Sequence, residues 1–464
     1  MATYNPVPAR RGSLVGPLIL LALGVVFLVS NLRPEISLWR LFATYWPFLL
    51  ILWGGAKLLE YTIARLTSRP IGRTVSGGEI FLVILLCLAG RGFYSAAGST
   101  WWSAGRLGQR SLDVFGETFD FPVETRRPAA AASELVIQNL RGNVNIVGAD
   151  SREIVVSGRK AIKGYDRGSA EETDRATPVE IKEEGGKIWI RTNQERFDRD
   201  RRVSTDLQIS VPKNTALSLE GRYGDFDVKD VAGSVAVNSA NAGVRLLNIG
   251  GNVRIQLRRS DIVRVAHLKG DLEISGRGGD IELENIAGAV AVNGEFSGSI
   301  KLQNVARPVR YKSSQTELSL EKLPGRMEMD RGMLLVNDVV GPFRLTVNSK
   351  DVRLEEFTKE VQITSRRGDI ELRTGRLPLA DIRAESRSGN IELALPPNAR
   401  FNLQAQAKNG RAENDFGDAV KIEDRGRTAE MSSTAAGKGP GAQIQLSTER
   451  GNIVFRKLQE RQSL

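Results

Sequence analysis

The chain has 464 residues, 47 of them glycine, with 26% charged side chains and a formal charge of +11. Glycine at that level without a collagen-like period points to a turn-rich β protein, and the length allows more than one domain. The single cysteine, Cys87, excludes an intrachain disulfide framework. The positive balance does not point to nucleic acid, because acids and bases alternate along short β-type segments and no recognition motif interrupts them.

In chain order, Arg10 and Arg11 precede an uncharged run at 14–30, at the lower limit for a spanning helix. No small-x-small cleavage site follows, so a signal anchor is expected rather than a cleaved leader. A second apolar run at 45–61 has Trp or Tyr at both ends, as interfacial anchors prefer. A third, at 80–90, ends at Arg91 and reaches spanning length only if it extends toward Trp101 and Trp102. The basic groups Arg10, Arg11, Arg65, Arg69 and Arg73 belong in the cytoplasm, which sends the chain outward after the third segment. If that segment does not span, the large domain lies on the cytoplasmic side instead. The expected domains are a membrane anchor at 1–97, a connector at 98–132, a β domain at 133–456 and a tail at 457–464.

The β domain is written as a repeat. The phrases Asp230-Val231-Ala232-Gly233, Asn248-Ile249-Gly250-Gly251, His267-Leu268-Lys269-Gly270 and Asn285-Ile286-Ala287-Gly288 recur at intervals near 18 or 19 residues. Weaker forms follow at Asn304-Val305, Lys322-Leu323-Pro324-Gly325, Asp338-Val339-Val340-Gly341 and Glu356-Phe357, with one shorter step among them. Each phrase leads into a strand of alternating type, and half a repeat later a second strand appears, as in GGDIEL at 278–283. Such strands bury too little alone and must stack. The pattern predicts N-terminal transmembrane helices followed by an all-β domain, a β-solenoid with two short strands per coil. About eight coils at ~4.8 Å each would span about 40 Å. A charged excursion at 160–202 holds one strand-like piece, KIWIRT, and a Gly/Ser/Ala-rich loop precedes the terminal QIQLSTERGNIVF.

The coils, the entry DLQISVPKNTALSLEGRYGDFDV and the exit SGNIELALPPNARFNLQAQAKNG together resemble the adhesin-like β-strand-repeat family of bacterial envelope proteins. The segments GPLILLALGVVFLVSN and WPFLLILWGGAKLLE are similar to the transmembrane module of LiaF-type and phage-shock-protein C-type proteins, which carry a related β-rich toast-rack domain. The resemblance implies a bacterial cytoplasmic-membrane protein presenting a β-solenoid in stress sensing or adhesion. It brings no catalytic residues. The odd third apolar segment departs from the family's usual topology.

Candidate chemistry is sparse. His267, the only histidine, is the natural general base, but it fills the turn slot that Asn248 and Asn285 hold in neighbouring coils. The Gly-Asp pairs ending in Asp225, Asp271, Asp280 and Asp369 offer one carboxylate per turn, too few for a calcium roll, and read as solvated turn residues. Arg367-Gly368-Asp369 spells an integrin-type tripeptide that arises from the repeat. Asp261, Glu273, Glu282 and Glu284 are candidates to cluster near Arg254, Arg258 and Arg264, as a β-helix carbohydrate-active enzyme requires, or else to form cross-strand ion pairs. No catalytic, cofactor or metal site is expected. The predicted partners are the cytoplasmic membrane through 14–97 and a protein or envelope polymer, with the β domain on the extracytoplasmic side. Open solenoid ends also make self-association an alternative.

Overall fold

The computed structural model describes residues 116–128, 134–200, 202–433 and 441–458. The three apolar segments predicted to anchor the chain lie outside the described residues. Thr118–Ile162 and Glu171–Leu464 form one compact unit, which contains the solenoid. The other, Met1–Glu117 with Lys163–Ala170, is described at 116–117 and 163–170. There Asp166 opens a helix by accepting the Ser169 N–H at 2.8 Å.

Two parallel sheets face each other in the solenoid. A coil runs through a strand of sheet 1, such as Leu272–Gly278, then one of sheet 2, such as Asp280–Ile286. The next coil repeats this in register, with Ile274 beside Val292 and Leu283 beside Leu302. Side chains alternate, so one row of sheet 1 stacks Leu219, Val237, Ile255, Ile274 and Val292 inward, all buried. Sheet 2 opposes it with Val228, Leu246, Val265, Leu283 and Leu302. Each such aliphatic side chain contributes about 1.5–3 kcal/mol on leaving water. A third row, Val231, Ile249, Leu268, Ile286 and Val305, closes the core at the repeated phrase.

The phrase at 322–325 is the exception. The strand Thr316–Met329 runs antiparallel to its neighbours in both sheets, and Met333–Val347 then restores the original direction. The chain thus makes one reversed coil, a long hairpin built into the stack. The expectation that Lys322-Leu323-Pro324-Gly325 begins a coil like the others is corrected here. The other phrases from Asp230 to Glu356 begin on a residue with φ between 53° and 60°, and Lys322 does not. The single shorter interval in the repeat falls where the direction reverses.

Both ends depart from simple winding. The charged excursion holds a helix, Arg167–Ala176, and a hairpin, Glu180–Glu184 with Lys187–Arg191, whose second strand pairs with Glu134–Arg141. Lys160 is buried, and its Nζ donates to the Asp174 carboxylate at 2.6 Å and to the Thr177 carbonyl at 2.5 Å, at the helix C-terminus. Within the stretch expected to be a connector, Glu117–Pro128 is a strand paired with Glu153–Gly164. At the far end the order of coils is not the order of sequence. Ala442–Thr448 lies between Ile382–Ser386 and Phe401–Ala407, and Ile453–Lys457 lies between Ile391–Leu395 and Ala412–Asn414. Phe401, Phe416 and Phe455 close the core there, with ring centroids 4.7 to 5.3 Å apart.

Deleting residues 268–285 removes one coil and joins His267 to Ile286, the residue in register with Leu268. The shortened chain should keep a protease-resistant β unit, whereas deleting 270–278 alone should abolish it. That half deletion leaves one strand to serve two sheets and shifts the register. Equal resistance of the two products to limited proteolysis would contradict a two-strand coil.

Candidate binding surface

The solenoid has two flat faces and two long edges. At one edge the repeated phrase carries the chain from sheet 2 back to sheet 1, and we call it the phrase edge. At the other the chain passes from sheet 1 to sheet 2. There Gly224, Gly368, Gly389 and Gly451 have φ between 120° and 154°, so we call it the glycine edge.

At the phrase edge Asp230, Asn248, His267, Asn285 and Asn304 stack in the left-handed conformation, which Asn and Asp tolerate better than other side chains. Asn248 Nδ2 donates to Asp230 Oδ1 at 2.9 Å, and Asn304 Nδ2 to Asn285 Oδ1 at 2.7 Å. His267 has φ 57°, is exposed and sits in this column between Asn248 and Asn285. No acid or nucleophile faces it in hydrogen-bond contact among the described residues.

The Gly-Asp carboxylates do more than the sequence suggested. Although exposed or half-buried, each accepts an N–H from the next coil: Asp225 that of Gly243 at 2.9 Å, Asp271 that of Ala289 at 2.8 Å, and Asp280 that of Ser299 at 2.7 Å. At the glycine edge the device becomes a ladder. Asp351 accepts from Asp369 at 2.9 Å, Asp369 from Asn390 at 2.7 Å, Asn390 from Asn452 at 2.8 Å, and Asn452 from Arg411 at 2.9 Å. They are coil-to-coil braces rather than merely solvated turn residues. Asp369 of the Arg367-Gly368-Asp369 tripeptide is one rung of that ladder. The signal was present in the sequence as Asp or Asn recurring one coil apart.

The four candidate carboxylates do not form one group. Glu273 is on the outer face of sheet 1, where Oε2 accepts from Arg254 Nε at 2.9 Å. Glu282 is on sheet 2, where Oε2 accepts from Arg264 Nε at 2.6 Å. Glu284 accepts from the Asn285 side chain at 3.2 Å, also on sheet 2. Asp261 lies at the glycine edge, so the four acids do not converge. The core separates Glu273 from Glu282 and Glu284, and Glu273 and Glu282 form the cross-strand ion pairs of the alternative reading. Elsewhere the faces follow the same pattern, as Arg353 bridges Glu355 and Glu371 and Arg456 meets Glu392. Among the described residues no three His, Cys, Asp or Glu side chains are grouped to hold a metal.

Residues 132–456 match the family model described as Toastrack DUF4097. The chain belongs to the Toastrack DUF4097 family. Residues 15–106 match the LiaF transmembrane domain, so both resemblances read from the sequence hold. No curated protein matches the chain. Among solved structures, a protein from Clostridium sporogenes ATCC 15579 provisionally named for cell adhesion is 12% identical, with 73% of this chain and 100% of that one covered and a TM-score of 0.20. One from Parabacteroides distasonis ATCC 8503, provisionally named for lipid binding, is 11% identical over 73% and 97% of the two chains, with a TM-score of 0.25. One from Bacteroides fragilis NCTC 9343, provisionally named an adhesin, is 9% identical over 73% and 97%, with a TM-score of 0.18. Likenesses at these scores carry no argument about this chain.

The Toastrack domain of this chain has a shallow polar groove near its far end. Glu385, Gln406, Gln445 and Ser447 of sheet 1 line it with Arg425 and Glu430 of the hairpin Val420–Arg425 and Thr428–Ser433. Its polar groups bond one another: Gln406 Nε2 donates to Glu430 at 2.9 Å and Arg425 to Glu423 at 2.8 Å. The solenoid ends are blunt. Among the described residues the outermost strands are Glu117–Pro128 with two prolines, the charged Glu180–Glu184 and Val420–Arg425, and the three-residue Ala412–Asn414. Prolines, charges and shortness all disfavour pairing with a second copy.

The corner column makes a sharp substitution test. His267→Asn should leave the unfolding midpoint within the change expected of a neutral surface substitution, because Asn holds the same conformation one coil away. Asn285→Val should destabilise by about 1–2 kcal/mol, because a β-branched side chain resists positive φ. Urea denaturation of the two variants checks both. Asp369→Ala removes a brace and should cost about 1 kcal/mol, with faster hydrogen exchange at the Asn390 amide.

Proposed function

We propose that this chain is a non-enzymatic envelope protein that displays its Toastrack solenoid on the extracytoplasmic side of the bacterial cytoplasmic membrane, as a surface for a protein or envelope-polymer partner. A membrane-anchored envelope protein is what the Toastrack and LiaF transmembrane matches together fit. In this reading residues 1–97 are the anchor and 133–456 the displayed domain. The stretch 98–132 joins them, contributing the strand Glu117–Pro128 to sheet 2.

The observation that carries the reading is the character of the surface. Many outward charges on the faces are paired coil to coil, and the groove's polar groups bond one another. A surface of fixed, regularly spaced groups on a rigid core suits recognition of an extended partner. Hydrolysis would ask instead for an acid and a base converging on one bond. Placement outside the cytoplasm rests on Arg10, Arg11, Arg65, Arg69 and Arg73 flanking the apolar segments.

Fusing reporters after Ala132 tests the placement. Alkaline phosphatase, which folds only outside the cytoplasm, should be active there, and a reporter that works only in the cytoplasm should be silent. The opposite pattern would mean that the third apolar segment does not span and that the solenoid faces the cytoplasm.

A further inference from the structure

We propose that the glycine edge of the solenoid binds a linear polyanion. The proposal deepens the binding-surface reading above and rests on it. Arg258, Arg259, Arg277, Arg366, Arg367 and Arg450 all lie where sheet 1 passes to sheet 2, in two groups, 258–277 and 366–450, with four strands of sheet 1 between them. All six are exposed, and none makes an ion pair among the described residues. Most arginines of the faces differ, although Arg310 and Arg326 also make no ion pair among the described residues. Arg245, Arg254, Arg264, Arg353, Arg383 and Arg456 each meet a carboxylate within 2.5 to 3.5 Å.

Most acids of the glycine edge are engaged with main chain, while Glu449 meets Arg387 and Asp225 also meets Arg245. Asp280, Asp351 and Asp369 each direct a carboxylate oxygen to an N–H of the following coil. Bases outnumber acids along this edge, whereas the phrase edge is close to balanced. Coils stack at ~4.8 Å, so Arg277 stands one rung from Arg258 and Arg259, with like charges adjacent on that side. On its other side it stands opposite Glu295, whose carboxylate accepts the Ser314 N–H. Exposed cations also guard open strand edges against pairing, but that need is absent here. Main-chain groups at these corners already bond from coil to coil, Gly279 N–H to Ser260 at 2.8 Å and Gly389 N–H to Arg450 at 2.9 Å. Repulsion that folding does not require is relieved by a bound anion.

Geometry selects a chain rather than a compact anion. The cations form a narrow file along the corner of a slab whose sheets lie about 10 Å apart, and the file runs for about 40 Å at the coil spacing. A polymer with a negative charge at every repeat meets several of them at once, gaining affinity through counterion release and multivalency. A flat anionic bilayer would touch the edge only along a line. Among the exposed large apolar side chains of the described residues, Met333 alone is near this edge to enter a bilayer, since Leu377 lies at the phrase edge and Ile422 in the terminal hairpin.

The test uses the full chain in neutral phosphatidylcholine nanodiscs, with linear inorganic polyphosphate as the probe. Long chains of about 40 phosphates should bind in low salt and weaken as salt is added, and tripolyphosphate should bind at least tenfold more weakly. Replacing the six edge arginines by Gln should lower long-chain affinity at least tenfold. The two half sets, Arg258, Arg259 and Arg277 or Arg366, Arg367 and Arg450, should each lose part of it, which covers a folding failure of the full set. Replacing Arg254, Arg264, Arg353, Arg373, Arg383 and Arg456 by Gln removes the same charge from the faces and should change affinity less than twofold. Equal losses in the edge and face sets would reduce the effect to net charge and overturn the proposal. So would equal affinity for short and long chains, or an edge variant that binds as the parent does. Loss of binding to phosphatidylglycerol vesicles with polyphosphate binding unchanged would overturn it too, making the edge a membrane contact. Failure here with an active extracytoplasmic reporter removes the partner class and leaves the placement standing. A cytoplasmic reporter result with edge-dependent binding does the reverse.

Discussion

The stack depends on one backbone constraint, the left-handed residue that turns each coil at the phrase edge. With φ held near 55°, Asp230, Asn248, His267, Asn285 and Asn304 bend the chain at the same point in every coil. The apolar residue that follows, from Val231 to Val305, then falls into the core row beneath the corner. Because side chains alternate, a shift of one residue at this corner would turn each strand's aliphatic side chains to water. Register is therefore fixed where a few small polar residues accept an uncommon conformation, and the aliphatic rows supply the energy once it is fixed. Carboxylate and amide braces repeat that specification at the opposite edge.

The same stacking explains why charge is distributed as it is. On the faces, outward positions of neighbouring coils lie side by side, so an acid across from a base is an inexpensive way to stay soluble. At the glycine edge most outward carboxylates are committed to backbone N–H groups, and six arginines beside them have no such partner, while Arg387 meets Glu449. The difference comes from geometry, since a corner residue can reach the next coil's main chain and a mid-strand side chain cannot.

Much of the architecture was legible because a two-residue alternation and a coil-length period are both printed in the sequence. The solenoid, its two strands per coil and the turn slot of His267 all follow from those two periods. The reversed coil was marked by a short interval, but Leu318, Leu320, Met327 and Met329 alternate in the same way whichever direction the strand runs. Alternation carries no arrow. The helix Arg167–Ala176 was missed because RGSAEETDRA has almost no apolar face to give a helical period. The intercalation of the final coil was invisible too, because Ile444 and Ile453 specify burial and not which neighbours they pair with. The separation of the carboxylates was hidden for a related reason: sequence nearness of Glu273 and Glu282 masks the corner that puts them on opposite faces.

The intercalated coil has a consequence in time. A solenoid wound in sequence order can add coils as they leave the ribosome or the translocation pore, each docking on the one before it. That schedule works from Ala216–Tyr223 through Ile391–Leu395, including the hairpin, whose two strands are contiguous. It stops there. Phe401–Ala407 pairs with Ala442–Thr448, and Ala412–Asn414 with Ile453–Lys457, so the next segment to emerge has no finished surface on which to settle. Until residues 442–457 arrive, Ile382–Ser386 and Ile391–Leu395 wait with one side open, and Phe401 and Phe416 lack the ring of Phe455. A domain that otherwise assembles by simple succession thus finishes with a step that must await a later part of the chain, and a chain stalled before that point would display an unpaired sheet end.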